Sequence, residues 1–283
     1  MPSIVRRSTR MLLQDSKARM TGMREIEYLS PAAEVSMSDG YFQIGTIDHF
    51  WVSRRFDVLR RLANDIVSEG REMAEVGCGH GLLQRQIEDR YGKPVTGFDL
   101  NEYGLKHNVS RISRVCCYDI HQRNAELRGK FNVILLFDVL EHISDEDNFL
   151  DALLFHLAPQ GKLIMNVPAG RWAFSKYDTA AGHVRRYAAK DLRSVAQRNN
   201  LEIEKWTWWG FPLIPAVAAR KLVLMGKRDL GKINSTGFDP KSPWIDKALG
   251  MLARLERIPQ KLTGTSLMAV LRPASASLTT KRG

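Results

Sequence analysis

The chain has few means of cross-linking itself. Among its 283 residues are three cysteines, Cys78, Cys116 and Cys117. The adjacent pair Cys116-Cys117 would need a strained ring to bond to itself, and none of the three has the spacing of a metal knuckle. A disulfide scaffold is therefore excluded, no metal site is expected, and the expected setting is a reduced, cytoplasmic one. Long apolar runs are also lacking: no stretch reaches the roughly 18 consecutive apolar residues that a membrane-spanning helix needs. The segment from Met1 to Lys17 lacks the apolar centre of a secretory signal. Internal repeats and low-complexity tracts are missing too, so solenoids and collagen-like chains are ruled out.

What is present is a globular composition, 44% hydrophobic, in a chain long enough for one large core, since single cores stop growing at roughly 250 to 300 residues. The net charge of +11 is unevenly spread. Residues 1–24 carry six Lys/Arg and one acid, residues 220–283 carry thirteen and four, and residues 25–219 carry 23 and 26. Basic ends on a slightly acidic body suit contact with an anionic membrane surface or simple solubility. They disfavour nucleic acid as partner, because a protein that tracks phosphates spreads its cations over the binding face.

The middle of the chain alternates strand and helix signals. Apolar residues from Trp51 to Val67 recur at helical spacing and predict an amphipathic helix that packs before the sheet. Met73–Val76 predicts a first strand, followed by the turn Gly77-Cys78-Gly79-His80-Gly81 and a helix through Ile87. Pro94–Asp99 and Val115–Asp119 predict short second and third strands. Phe131–Asp138 is apolar almost throughout, as in a parallel strand buried on both faces. A helix over 146–157, ended by Pro159-Gln160-Gly161, leads to a fifth strand over 162–167. Ala188–Asn200 predicts a helix, Leu201–Trp209 a sixth strand and Ser266–Leu271 a seventh, with a helical insert between the last two. The fold class is α/β, with helices on both faces of a mostly parallel sheet.

Such sheets bind ligands beyond the carboxyl ends of their strands, where the strand order reverses. At those ends stand the glycine turn, whose backbone lets a ligand approach closely, then Asp99, Asp119 and Asp138. Asp99 is placed to accept from ribose hydroxyls and Asp119 from an adenine amino group. The glycines fall at 77, 79 and 81, one residue early for the dinucleotide fingerprint and with Leu82 at its sixth position. The spacing argues against NAD and for another adenosine cofactor.

Taken together, Glu75-Val76-Gly77-Cys78-Gly79-His80-Gly81, Phe98-Asp99-Leu100, Tyr118-Asp119-Ile120, Phe137-Asp138-Val139-Leu140-Glu141-His142-Ile143 and Leu157-Ala158-Pro159-Gln160-Gly161-Lys162-Leu163 resemble the ordered motifs of class I S-adenosylmethionine-dependent methyltransferases. The resemblance is to their ubiquinone-biosynthesis-like branch (methyltransferase type 11/12) and covers roughly residues 70 to 210. It implies a Rossmann-like sheet with S-adenosyl-L-methionine as cofactor. Glu75, Gly77, Cys78, Gly79 and Gly81 would hold the methionine part, Asp99 and Leu100 the ribose, Asp119 and Ile120 the adenine. Phe137, Asp138 and Val139 would form the floor beside the sulfonium. Gln160 departs from the glycine often found there, in a turn away from the site.

A second block, Asn166–Trp172, Ser175–Asp178 and Gly182–Tyr187, resembles a bacterial subset of these enzymes associated with cell-surface and lipid-linked glycans, and it is expected to shape the acceptor pocket. His142 and His183 are the candidate bases for an acceptor hydroxyl; each also fits a packing or capping role. Asp178, Arg185 and Arg186 fit either a charged acceptor or a salt-bridged loop. The expected organisation is an irregular basic segment over 1–50, a core over 51–209, a helical insert over 210–264, a last strand over 265–272 and a flexible tail over 273–283. The apolar and basic run Phe211–Arg228 fits a cap or dimer contact, or a helix lying in an anionic membrane interface and admitting a lipid-linked acceptor. The expected activity is methyl transfer, at oxygen, to a small-molecule or lipid-linked acceptor. The alternatives are an RNA or protein methyltransferase and a non-catalytic cofactor-binding scaffold. The oligomeric state is not legible from these residues.

Overall fold

A computed structural model describes residues 25–33, 35, 46–225 and 242–274. The expected basic N-terminal stretch 1–24, the end of the 211–228 run and nearly all of the expected tail lie outside the described residues. In chain order the elements are β1 (Glu27–Tyr28), α1 (Phe50–Glu69), β2 (Met73–Val76), α2 (Leu82–Tyr91), β3 (Thr96–Asp99), α3 (Glu102–Lys106), β4 (Val115–Cys117) and β5 (Phe131–Phe137). They continue with α4 (Glu146–Leu154), β6 (Leu157–Pro168), α5 (Lys176–Ala180), α6 (Ala189–Arg198), β7 (Leu201–Trp209), α7 (Ile214–Met225), α8 (Pro243–Arg254) and β8 (Ser266–Pro273).

The strands form one sheet in the order β1-β4-β3-β2-β5-β6-β8-β7. β8 runs antiparallel to both of its neighbours, and the other pairings are parallel. The order turns back at β2, which pairs with β3 on one side and β5 on the other. The carboxyl ends of β2, β3 and β5 therefore border a single cleft.

β5 shows why the sheet forms where it does. Ile134 and Leu136 pack into one apolar layer, with Leu150 and Leu153 of α4 and Leu192 and Val195 of α6. Val133, Leu135 and Phe137 pack into the opposite layer, with Val58, Leu59 and Leu62 of α1 and Leu83 and Ile87 of α2. Alternate residues of one strand thus feed both faces, which is the requirement that its nearly continuous apolar run meets.

Four expectations are corrected. Eight strands are present where seven were expected, because the two residues of β1 pair with Cys116 and Cys117 of β4. The helix expected to run to Leu157 ends at Leu154, and Leu157 instead opens β6 by pairing with Phe131. Pro159-Gln160-Gly161 does not end a helix; it lies inside β6, in a bulge where β6 runs from Leu157 to Lys162 while β5 advances only from Phe131 to Val133. Proline is tolerated there because β8 joins β6 only from Leu163 onward, so no ladder partner awaits its missing N–H. The last strand extends through Pro273, two residues past Leu271.

Candidate active site

The turn after β2 is built to a tight steric specification. Gly77, Gly79 and Gly81 all adopt positive φ, at 77°, 51° and 77°. A Cβ on Gly77 would lie 2.3 Å from Cγ2 of Val139, so the glycine turn and the loop after β5 touch directly. The turn is fastened to β3: Gly77 and Cys78 donate to the Phe98 carbonyl at 2.8 and 3.1 Å, and Gly79 donates to Oδ2 of Asp99 at 2.7 Å. Oδ1 of Asp99 accepts from Asn101 at 2.8 Å. Burial raises the Asp99 pKa, opposed by the amides of Asn101, Gly79 and Leu100.

Glu75 is 3% exposed, and its Oε2 has no hydrogen-bond partner. Desolvation pushes its carboxyl up to about 8, against the pull of Arg55, and the nearby Asp99 and Asp138 raise it further. Asp138 sits at φ 57°. It is paired with Arg55 of α1 and accepts from Asn166 Nδ2 at 2.7 Å; Asn166 in turn accepts from Trp209 Nε1 at 2.8 Å. Arg55 also lies over Trp51 and Phe137, 5.0 and 5.3 Å from the ring centres. Glu141 is buried, its Oε2 lacks a partner, and desolvation together with Asp138 holds its pKa well above the ordinary value.

The strand ends thus gather four carboxyls: Glu75, Asp138 and Glu141 lie near the Arg55 guanidinium, and Asp99 lies near Glu75. A buried carboxyl oxygen without a partner is costly, and Oε2 of Glu75 and Oε2 of Glu141 are the two open positions among these four groups. A ligand that brings positive charge or hydrogen-bond donors to those two oxygens would complete the site.

Next to this cleft stands the block that follows β6. Asp178 is fully buried and accepts from Ser175 N at 2.9 Å, Ser175 Oγ at 3.1 Å, His183 Nδ1 at 3.1 Å and Arg186 Nε at 2.6 Å. Burial would raise its pKa, but His183 and Arg186 outweigh burial and hold it at about 2. Arg185 pairs with Glu146 at 2.6 Å. The two arginines and Asp178 are therefore the salt-bridged loop of the two readings offered above. His142 and His183 meet edge to face, ring centres 4.7 Å apart. Burial and the neighbouring His183 push the His142 pKa down to about 4. Glu141, His142 and His183 also bring one ligand atom each within 4.8 Å of one another, a set able to hold a metal ion that the sequence did not lead us to expect.

The expected residues divide by what their side chains can reach. Glu75, Asp99, Asp138, Val139 and the three glycines come together at the cleft, with half-buried Leu100 beside Asp99. Cys78 instead packs with Leu105, Val115 and Cys117 in a separate apolar cluster, and Ile120 and Phe137 are side chains of the two main layers. Those three can offer a ligand only backbone or a buried support. Asp119 lies at the end of β4, where Oδ1 accepts from the backbone and ring of His121 at 3.0 and 2.9 Å. Arg55, Asn166 and Trp209 were not singled out as a set by the sequence. The available signal was Arg55 itself, an arginine between Val52 and Leu59 on the apolar stripe of α1.

Comparisons with known proteins agree with this fold. A methyltransferase-domain family model matches residues 48–205. The chain is 31% identical over 164 residues to a protein of Mycolicibacterium smegmatis described as a probable S-adenosylmethionine-dependent methyltransferase, covering 56% of this chain and 61% of that one. It is 30% identical over 105 residues to a ubiquinone biosynthesis O-methyltransferase of Psychrobacter cryohalolentis, covering 34% and 40%. The chain thus spans less than two thirds of these relatives' length. Phosphoethanolamine N-methyltransferase 2 of Haemonchus contortus, solved with S-adenosyl-L-methionine, shares the fold at a TM-score of 0.51 and 17% identity, over 83% of this chain and 57% of that one. With the motif order, the strand order and the family match in agreement, the chain belongs to the class I S-adenosylmethionine-dependent methyltransferases.

Proposed function

We propose that this enzyme methylates a hydroxyl oxygen of a small-molecule or lipid-linked acceptor in the cytoplasm, with His183 as the base. The observation that carries the reading is the Asp178–His183 pair beside the carboxylate cleft. Nδ1 of His183 donates to Asp178, which fixes the tautomer that leaves Nε2 as the basic nitrogen. The bound cofactor supplies an electrophilic methyl group on a sulfonium. Glu75, Asp99, Asp138 and Glu141 would favour that positive charge; Glu75 would hold the methionine part, Asp99 the ribose and, apart from these four, Asp119 the adenine. The glycine turn would let the backbone approach the cofactor closely, and Val139 with the Arg55-held Asp138 would form the floor of its site.

Methyl transfer is an in-line displacement that depends chiefly on alignment and exclusion of water. A base matters only where the acceptor must lose a proton, and this chain supplies one. His183 Nε2 would take the hydroxyl proton as the oxygen attacks, while Asp178 stabilises the resulting imidazolium. His142, held neutral across the physiological range by its low pKa, packs against His183 without competing for the proton. The printed name of the Psychrobacter relative, an O-methyltransferase, supports the choice of oxygen. The mildly acidic middle of the chain disfavours a nucleic-acid acceptor.

A second reading rests on the Glu141–His142–His183 set. A divalent cation held there would lower the pKa of an acceptor hydroxyl and take over the role of the base. Two measurements separate the readings. His183→Ala should lower kcat by about 10²- to 10⁴-fold with the affinity for S-adenosylhomocysteine unchanged, and wild-type turnover should survive dialysis against a chelator. Unchanged kcat in the variant overturns the base assignment, and loss of turnover on chelation moves the assignment to the cation.

A further inference from the structure

The insert between β7 and β8 carries an amphipathic pattern turned inside out. α8 meets the body of the protein through its polar and small residues. Asp246 Oδ1 accepts from the Phe50 amide at 3.1 Å, Gly250 faces Cβ of Phe50, and Ala253 is fully buried. Just beyond the helix, Glu256 accepts from Gly210 and Phe211 at 2.8 and 3.1 Å. The opposite face presents Trp244, Ala248, Met251, Leu252 and Leu255 at helical spacing to solvent, with Trp244 80% and Leu255 77% exposed.

α7 repeats the arrangement. It buries Leu224 and exposes Pro215, Ala219, Leu222 and Val223, and the turn Phe211–Leu213 that leads into it packs against α8. An outward apolar stripe of this extent is not what a helix of a self-contained globule shows.

Charge selects the occupant. The described insert residues 210–225 and 242–264 contain two acids, Asp246 and Glu256, and both are spent in the inward contacts just given. The exposed cations Lys247, Arg254 and Arg257 carry the opposite sign to an anionic lipid surface, and Lys247 and Arg254 flank the apolar stripe of α8. Neither helix can cross a bilayer, since no helix among the described residues is long and apolar enough. A helix with an apolar face, a tryptophan and flanking cations lies in the interfacial plane instead.

We infer that α8 and α7 form a docking surface for an anionic phospholipid bilayer. This deepens the reading of a lipid-linked acceptor but does not depend on it, because binding to the bilayer needs no turnover.

The test is flotation of the full chain with vesicles of phosphatidylcholine containing phosphatidylglycerol, against vesicles of phosphatidylcholine alone. The wild type should float with the anionic vesicles at low salt and lose binding at high salt. Trp244→Ser combined with Leu255→Ser should reduce binding at least tenfold. Lys247→Ala combined with Arg254→Ala should reduce it roughly 25-fold, from about fivefold for each cation near an anionic surface. Unchanged S-adenosylhomocysteine binding in each variant shows that the fold and the cofactor site are intact. Absence of flotation at low salt overturns the inference, as does wild-type flotation of both double variants. A wild-type dimer that Trp244→Ser makes monomeric also overturns it, by assigning the stripe to a second copy of this chain.

Discussion

The cleft at the ends of β2, β3 and β5 and the loop after β6 lie side by side and use the same residue types, but they differ in how far their polar groups satisfy one another. In the loop, Asp178 receives four donors from its own neighbourhood and is held at about 2. In the cleft, Glu75 and Glu141 each keep a buried oxygen without a partner, and Glu75 is driven up to about 8. A closed set of hydrogen bonds builds structure, and an open one waits for a ligand. On this contrast Asp178 and Arg186 hold the loop together, while Glu75 keeps an oxygen open toward the cleft.

The largest effect should come from breaking the closed set. Asp178→Ala leaves Arg186 buried without its counter-charge, a loss of about 3–5 kcal/mol expected for a broken buried pair. Denaturant unfolding would measure it, and a loss near zero would mean that the loop is not held by this carboxylate. The base assignment should suffer as well, since His183 loses the group that orients it.

A smaller loss should come from the cleft at Asp99, whose oxygens already accept from Gly79 and Asn101. Asp99→Ala should weaken S-adenosylhomocysteine binding by about 1–3 kcal/mol, the cost of removing one partner from a buried hydrogen-bonded pair. Calorimetry on the variant reads it, and an unchanged Kd would remove Asp99 from the ribose.

The last effect concerns pH. Glu75 is raised in the folded protein above its ordinary value of 4.5, so the folded state holds a proton that the unfolded chain has released. Its stabilising contribution is full below about 4.5 and is lost as pH rises toward 8. The melting temperature of the ligand-free wild type should therefore fall more steeply over this window than that of Glu75→Gln. Parallel curves would show that Glu75 is ionised in the fold.

The sequence carried the sheet and the cofactor side of the site further than the rest, for physical reasons. The glycine turn announces itself because positive φ and the contact with Val139 at Gly77 leave no other residue type, and Asp99 and Asp138 stand at strand ends that the apolar runs define. β1 escaped notice because a two-residue strand has no period to read. The start of β6 was misplaced because Pro159 and Gly161 punctuate a bulge as readily as a helix end. The chain of contacts from Arg55 through Asp138 and Asn166 to Trp209 joins α1, β5, β6 and β7, and only the fold brings those four residues together. On the insert, helical spacing was legible, but which face points outward was not.

The most direct test of the open cleft is calorimetric titration with S-adenosylhomocysteine at pH 7 in two buffers of different ionisation enthalpy, on the wild type and on Glu75→Gln, with NAD as control. Binding of the first ligand alone, with release of about one proton as Glu75 ionises beside the ligand's amino group, and loss of that release in Glu75→Gln, is the predicted result. A buffer-independent enthalpy with equal affinity in both proteins, or comparable binding of NAD, would contradict it.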